Sequence, residues 1–131
     1  MRIIGHGIDL VEIARIERML DEHGDRFRRR CFTEQERAYA ESGKRRCAER
    51  YAARFAAKEA VLKALGTGWR SGIAWTDVAI ARQPSGQPRV ILSGRCAELA
   101  SEQGIEHWAV SLTHAGGPTG YASASVIAWG P

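Results

Sequence analysis

Long apolar runs are missing from this 131-residue sequence. No window offers the roughly 20 consecutive apolar residues that a membrane helix requires. Asp9 and Glu12 interrupt the opening apolar positions Ile3, Ile4, Ile8 and Leu10, so that stretch does not read as a signal peptide. Cysteine is scarce: Cys31, Cys47 and Cys96 are odd in number and widely spaced, with no Cys-x-x-Cys pair. That excludes a disulfide framework and the usual zinc and redox motifs, and a cytoplasmic protein is expected. Also missing are a Gly-x-x-x-x-Gly-Lys-Ser/Thr loop, a Gly-x-Gly-x-x-Gly turn (Gly5-His6-Gly7 is too short), a Gly-x-Ser-x-Gly elbow and a His-Glu-x-x-His pair. No repeat, low-complexity tract or linker divides the chain, so residues 1–131 read as one domain.

What is present suits a packed, soluble fold. A 44% hydrophobic content at this length can build one core. Net charge is +4, with a sequence pI near 9.3. The basic residues crowd between Arg15 and Lys63, including the run Arg28-Arg29-Arg30 that is by default a solvated face. A nucleic acid, a phosphorylated small molecule or an acidic protein would each suit that surface.

Local patterns predict the elements. Arg2 to Leu10 reads as a strand in which Gly5 and Gly7 signal close backbone approach. A helix is expected from Val11 to His23, stopped by Gly24. Thr33-Glu34-Gln35-Glu36 is a capping box opening a short helix to Glu41. Cys47 to Leu65 is rich in good helix formers and ends at Gly66-Thr67-Gly68. Trp75 to Ala81 and Arg89 to Leu92 read as strands around a turn, Gln83 to Pro88. Ser93 should cap a helix through Gln103, and His107–Thr113 and Tyr121–Trp129 are strands. The order β-α-α-α-β-β-α-β-β implies an α+β fold, an antiparallel-rich sheet packed with helices.

Two carboxylates stand out. Asp9, at the junction of the first strand and helix, is either a helix N-cap with Glu12 completing a box, or a metal ligand at a strand end. Glu59 shares a ridge with Phe55 and Lys63, one turn to either side. It is either half of a surface ion pair or a ligand beside a phosphate-binding lysine. Ala52, Ala53, Ala56, Ala57, Ala60 and Ala64 surround that ridge and allow another backbone or a ligand to come close. Magnesium takes one or two protein carboxylates and fills its remaining positions with water and substrate phosphates, so this pair is sufficient for it. His114, after Ser111 and Thr113, reads as a structural histidine when taken alone.

Three segments together resemble the holo-acyl-carrier-protein synthases, the small bacterial 4′-phosphopantetheinyl transferases. Gly7-Ile8-Asp9-Leu10-Val11-Glu12-Ile13 is similar to the family's first motif. Arg54-Phe55-Ala56-Ala57-Lys58-Glu59-Ala60, with Lys63-Ala64 and Gly66-Thr67-Gly68, is similar to the second and is the most specific. Ser111-Leu112-Thr113-His114 resembles the third. The resemblance implies a phosphopantetheinyl transferase fold and an enzyme that moves the 4′-phosphopantetheine arm of coenzyme A to a serine of apo acyl carrier protein. 3′,5′-ADP would leave, and the reaction serves fatty acid biosynthesis.

It further implies that Asp9 and Glu59 bind Mg²⁺, that Glu59 and Lys63 are catalytic, and that Lys63 contacts the substrate phosphate. The serine's proton would go to Glu59 or to a water held at the metal site. Lys44, Arg45 and Arg54 match positions near the 3′-phosphate of coenzyme A. Gly66, Thr67 and Gly68 match segments lining the nucleotide, as do Ser85, Gly86 and Pro88, and His114 maps to the same pocket. Arg15 and Arg26, extended by Arg18 and the Arg28 to Arg30 run, resemble the surface that receives the acidic carrier protein. A homotrimer with sites at subunit interfaces is implied, without nucleic acid or membrane as partner. His6 and the loop Gly116-Gly117-Pro118-Thr119 depart from the family pattern. Two other readings stand beside this one. A transferase could serve polyketide or peptide synthase carriers. A nucleic-acid module would instead interleave exposed aromatics with the basic stretch, whereas Phe27, Phe32, Tyr39, Tyr51 and Phe55 sit mostly at core-like spacings.

Overall fold

The centre of the molecule is a long helix laid across a three-stranded antiparallel sheet. The computed structural model describes residues 1–131 except Ser71 and the side chain of Lys44. In chain order the elements are β1 (Arg2–Glu12), α1 (Ile13–Cys31), α2 (Glu34–Glu41), α3 (Cys47–Leu65), β2 (Val78–Arg82), β3 (Pro88–Leu92), α4 (Gly94–Glu102), β4 (His107–Ala115) and β5 (Tyr121–Gly130). Sheet order is β1-β5-β4, with β2-β3 forming a separate antiparallel hairpin. This is the α+β order read from the sequence.

Gly5 and Gly7 explain how strand and helix come so close. A Cβ on Gly5 would lie 2.1 Å from the Ala64 carbonyl oxygen, and one on Gly7 would lie 1.8 Å from that of Ala60. Only a residue without a side chain fits there, and only small helix residues permit the approach. The helix is buried along most of its length, including Tyr51, Phe55, Val61, Leu62 and its alanines. Gly66, at φ 78°, closes it in the left-handed conformation.

Two boundaries differ from expectation. β1 continues to Glu12, so α1 begins two residues later than the pattern predicts, and the N-cap is Glu12 with no side-chain cap bond. Asp9 is therefore a strand residue, paired with Ala124, and its helix-cap reading is excluded. Gly24 interrupts the helix where the stop is expected (φ 49°, ψ −127°), and a second helical run follows at once, so α1 is two runs joined at a kink. Buried Phe27 and Cys31 continue the apolar face set by Ile13, Ile16 and Leu20, so burial draws the chain back into helix beyond the kink. Smaller differences follow the same logic. Trp75–Asp77 is a 3₁₀ turn ahead of β2, and Ser93 occupies the N-cap of α4 without a side-chain bond.

The capping box at Thr33 forms: the Thr33 N–H donates to Glu36 Oε1 at 2.8 Å, and the Glu36 N–H donates to Thr33 Oγ1 at 3.3 Å. The same Glu36 is buried and pairs at 2.8 Å with Lys58, which is also fully buried. Lys58 donates further to the carbonyls of Trp75 and Val78, and the Ile80 N–H donates to Glu36 Oε2. Burial pushes the Lys58 ammonium below its ordinary pKa, and the Glu36 carboxylate opposes that shift. The pair ties α2, α3 and β2 together. Removing one partner would strand a buried charge, at a cost of about 3–5 kcal/mol.

Candidate active site

β1 delivers Asp9 to the side of α3. Gly7 and Val11, two residues to either side of Asp9, are buried and Asp9 faces inward with them, because side chains alternate along a strand. The Lys63 ammonium donates to Asp9 Oδ1 at 3.1 Å and to the Ile8 carbonyl at 2.9 Å. Thus the hydrogen bonds of Lys63 reach across to β1. Glu59, one turn before Lys63, is half-buried. Burial, and then the neighbouring Asp9 charge, raise its carboxyl pKa above the ordinary value, while Lys63 and Arg15 act in the opposite direction. The three residues singled out in the sequence therefore share one corner. Among the described residues no group of three or more His, Cys, Asp and Glu side chains gathers to hold a metal. Two coupled carboxylates fit Mg²⁺, which keeps waters and recruits phosphate oxygens, and they do not fit a tetrahedral zinc set.

A groove of about 640 Å³ opens beside this corner, lined by Ile16, Met19, Phe27, Phe55 and Trp75 and bordered by Arg15, Arg26 and Arg30. Arg15 packs over the Phe55 ring at 5.9 Å from its centroid, which links groove and carboxylates. Arg18 is exposed on α1 and does not line the groove. Phe55 stacks on Trp75 at 5.1 Å, and Trp75 stacks on the partly exposed Trp69 at 4.8 Å. Phe27, Phe32 and Tyr51 extend the same aromatic series into the core.

A second cleft, also about 640 Å³, lies between the N-terminal half of α3, the β2–β3 hairpin and β4. Of the expected nucleotide-binding residues, Arg54, Gly86, Pro88 and His114 line it. Arg45 is exposed nearby without lining it, and Ser85 sits in the adjoining turn, its Oγ accepting from the Gln87 N–H at 3.4 Å. The side chain of Lys44 lies outside the described residues. His114 Nδ1 is 3.5 Å from Glu49 Oε2, so it faces the cleft. Sequence reasoning missed Tyr39, Arg46, Arg50, Arg82 and Arg89 on the same walls. The every-fourth-residue series Arg46, Arg50, Arg54 was a readable helical stripe. Tyr39 and the hairpin arginines carried no such signal.

Gly66, Thr67 and Gly68 lie elsewhere. Twelve residues separate Arg54 from Gly66, or roughly 18 Å of helix. The N–H groups of Thr67 and Gly68 both turn back to the Leu62 carbonyl, and Thr67 Oγ1 is buried without a partner. One chain thus splits the expected nucleotide ligands between the two ends of α3.

Residues 5–124 match the 4′-phosphopantetheinyl transferase superfamily, and the chain belongs to that family. Its curated relatives include holo-[acyl-carrier-protein] synthases. The one from Solibacter usitatus is 47% identical over 112 residues, 86% of this chain and 89% of that protein. The one from Trichlorobacter lovleyi is 47% identical over 129 residues, 98% of this chain and 99% of that protein. The crystal structure of the Helicobacter pylori holo-[acyl-carrier-protein] synthase in complex with coenzyme A superposes with a TM-score of 0.81. It is 29% identical and covers 95% of this chain and 99% of that one.

Proposed function

We propose that this chain is a magnesium-dependent holo-acyl-carrier-protein synthase of fatty acid biosynthesis, using coenzyme A and an apo carrier protein. The observation that carries this reading is the meeting of Asp9, Glu59 and Lys63 beside an arginine-bordered groove. The serine oxygen of the carrier forms a bond to the β-phosphorus of coenzyme A. The bond from that phosphorus to the bridging oxygen breaks, and 3′,5′-ADP departs with the electron pair. Such in-line displacement depends on alignment and charge neutralisation more than on covalent help.

Asp9 and Glu59 would hold Mg²⁺, which when bound neutralises the pyrophosphate. Lys63, held by the Ile8 carbonyl and Asp9, presents its ammonium to a phosphate oxygen. Glu59, whose proton affinity burial and Asp9 raise, or a water held at the metal site would take the serine proton. Arg15, Arg26 and Arg30 attract an acidic carrier helix whose apolar face enters the groove. The arginine cleft beside Arg54 takes the nucleotide end of the donor.

A homotrimer belongs to the same reading, for two reasons. The nucleotide ligands lie at opposite ends of α3 in one chain, and a neighbouring copy would bring the second set to the first. The outer face of the sheet is also apolar where β1 and β5 leave it open: Ile8, Leu10, Tyr121 and Ile127 are exposed, at 58%, 65%, 50% and 38%. His6 lies on that face, opposite Ile127. No described helix is long and apolar enough to cross a membrane, and we assign the activity to the cytoplasm.

The test is to mix the protein with coenzyme A, Mg²⁺ and an apo carrier protein, and to weigh the carrier by mass spectrometry. The pantetheine arm should appear on a serine in wild type. Near-normal transfer by Glu59→Ala would contradict the site.

A further inference from the structure

His6 departs from the family pattern, and the sheet register fixes what it meets. Side chains alternate along β1. With Gly7, Asp9 and Val11 turned toward α3, His6, Ile8 and Leu10 point to the outer face of the sheet. His6 stands opposite Ile127, and Ile127 opposite Ala109 on β4. At the near end of the sheet Trp129 lies between Ile3 and His107, and the His107 ring stacks on it with centroids 5.3 Å apart. The rows beyond His6 carry Ile8 and Leu10 beside small hydroxyl side chains. Two exposed imidazoles are thus set into a surface that is otherwise apolar or small.

Few charged groups stand near them. Among the described residues neither His6 nor His107 enters an ion pair. On β1, Arg2 turns toward Gly104 at the end of the sheet, and Glu12 lies at the opposite end beside Tyr121 of β5. Glu106 directly precedes His107 and β4. The other outward residues of β4 and β5 carry no charge, and α3 packs on the opposite face. Such a face has no basic cluster to draw the acidic carrier. It suits a second copy of this chain, which the nucleotide ligands at opposite ends of α3 also call for. Histidine is the side chain whose ordinary pKa, about 6.5, falls between pH 5 and 8. Neutral, it can enter an apolar interface, whereas protonated it carries a charge that burial penalises. Every copy that joins brings the same imidazoles, so like charges would also be gathered together.

We propose that the outer face of the β1-β5-β4 sheet is a self-association surface switched by pH, with His6 as its main proton sensor and His107 as the second. This rests on the homotrimer reading above for the number of copies, while the switch rests on where the two imidazoles stand. Separated chains hold protons that the assembly excludes, so acid favours separation. With one proton per copy excluded at His6 alone, the trimer dissociation constant rises by up to about a thousandfold per pH unit below the free imidazole pKa.

Sedimentation equilibrium of the full chain, over a dilution series at pH 8 and pH 5.5, tests the switch. Far-UV circular dichroism at both pH values checks that the chains stay folded. Wild type should weigh as three copies at pH 8 and shift toward single chains at pH 5.5. His6→Leu cannot take up the proton and should stay associated at pH 5.5. His107→Phe keeps a ring on Trp129 and should move the transition to lower pH by a smaller amount. His6→Lys carries its charge at both pH values and should give single chains already at pH 8. Equal association of wild type at the two pH values overturns the switch and leaves the homotrimer standing. Dissociation of His6→Leu in step with wild type does the same. Should wild type unfold at pH 5.5, the comparison at pH 8 decides, and equal association of His6→Lys and His6→Leu there overturns the switch. Single chains at pH 8 in both wild type and His6→Leu overturn the homotrimer, and the switch with it.

Discussion

At its N-terminal end α3 meets the β2–β3 hairpin across a cleft where Arg46, Arg50, Arg54, Arg82 and Arg89 face the single carboxylate of Glu49. Further along the same helix, β1 meets it at two carboxylates and one lysine. The first region gathers charge largely of one sign and the second sets two carboxylates against a lysine, and they are built differently. The arginine cleft is assembled from long side chains gathered on one ring, that of Tyr39. The carboxylate corner is assembled from backbone proximity, through glycines in β1 against alanines in α3. The first should respond to changes of side-chain chemistry and the second to changes of main-chain spacing. Charge held at such a cost is the usual mark of a site awaiting its counter-ion.

The sharpest separation of the two regions should come from Glu59→Ala. We expect a loss of about 10³-fold in kcat/KM, as for removal of a group that stabilises transition-state charge. Binding of adenosine 3′,5′-bisphosphate should stay within twofold or so of wild type. Parallel loss of both would merge the two regions into one.

Gly7→Val comes next. The new side chain would overlap the Ala60 carbonyl, and overpacking of this kind costs about 3 kcal/mol. Chemical denaturation should show that loss, and transfer should fall because Asp9 is carried away from Glu59. Unchanged stability would mean that β1 does not depend on the glycine contact.

Lys63→Ala should dissociate function from stability. We expect transfer to drop by about 10²-fold. Stability should change by less than about 1 kcal/mol, because the half-exposed Lys63 pairs with Asp9 in a screened setting. A large stability loss with intact transfer would make the ion pair structural.

The smallest effect concerns the metal-free protein. Burial and Asp9 raise the Glu59 carboxyl pKa above its unfolded value. The folded state therefore holds that proton more tightly, so its advantage is complete below the unfolded pKa. That advantage is lost as pH rises through the folded value. Glu59→Gln removes this dependence. Without metal the variant should melt slightly higher than wild type at neutral pH, and Mg²⁺ should raise the Tm of wild type alone. A Mg²⁺-induced rise in the variant would remove Glu59 from the metal site.

Much of the fold was legible from short-range patterns. The span Cys47–Leu65, its closure at Gly66 and the Thr33 capping box depend on residues within about four positions of one another, where propensity and glycine φ decide. The small residues at Gly5, Gly7, Ala60 and Ala64 were readable as a close approach, though not as an approach to each other. α1 was legible only as far as its glycine, because a local stop signal cannot report that Phe27 and Cys31 will find the core.

The sequence by itself determined which residue types were available for chemistry: two carboxylates, a lysine one turn after one of them, and a basic first half. It left each carboxylate with a structural alternative. Tertiary structure removed both, by extending β1 past Asp9 and turning Lys63 from its helical neighbour to a partner 54 residues away. Tertiary structure alone also joined Lys58 to Glu36 and seated Arg82 on Tyr39. The physical reason is common to all of these. Local rules fix the conformation of a segment, whereas contacts between distant residues depend on which faces burial presses together, and no spacing along the chain records that choice.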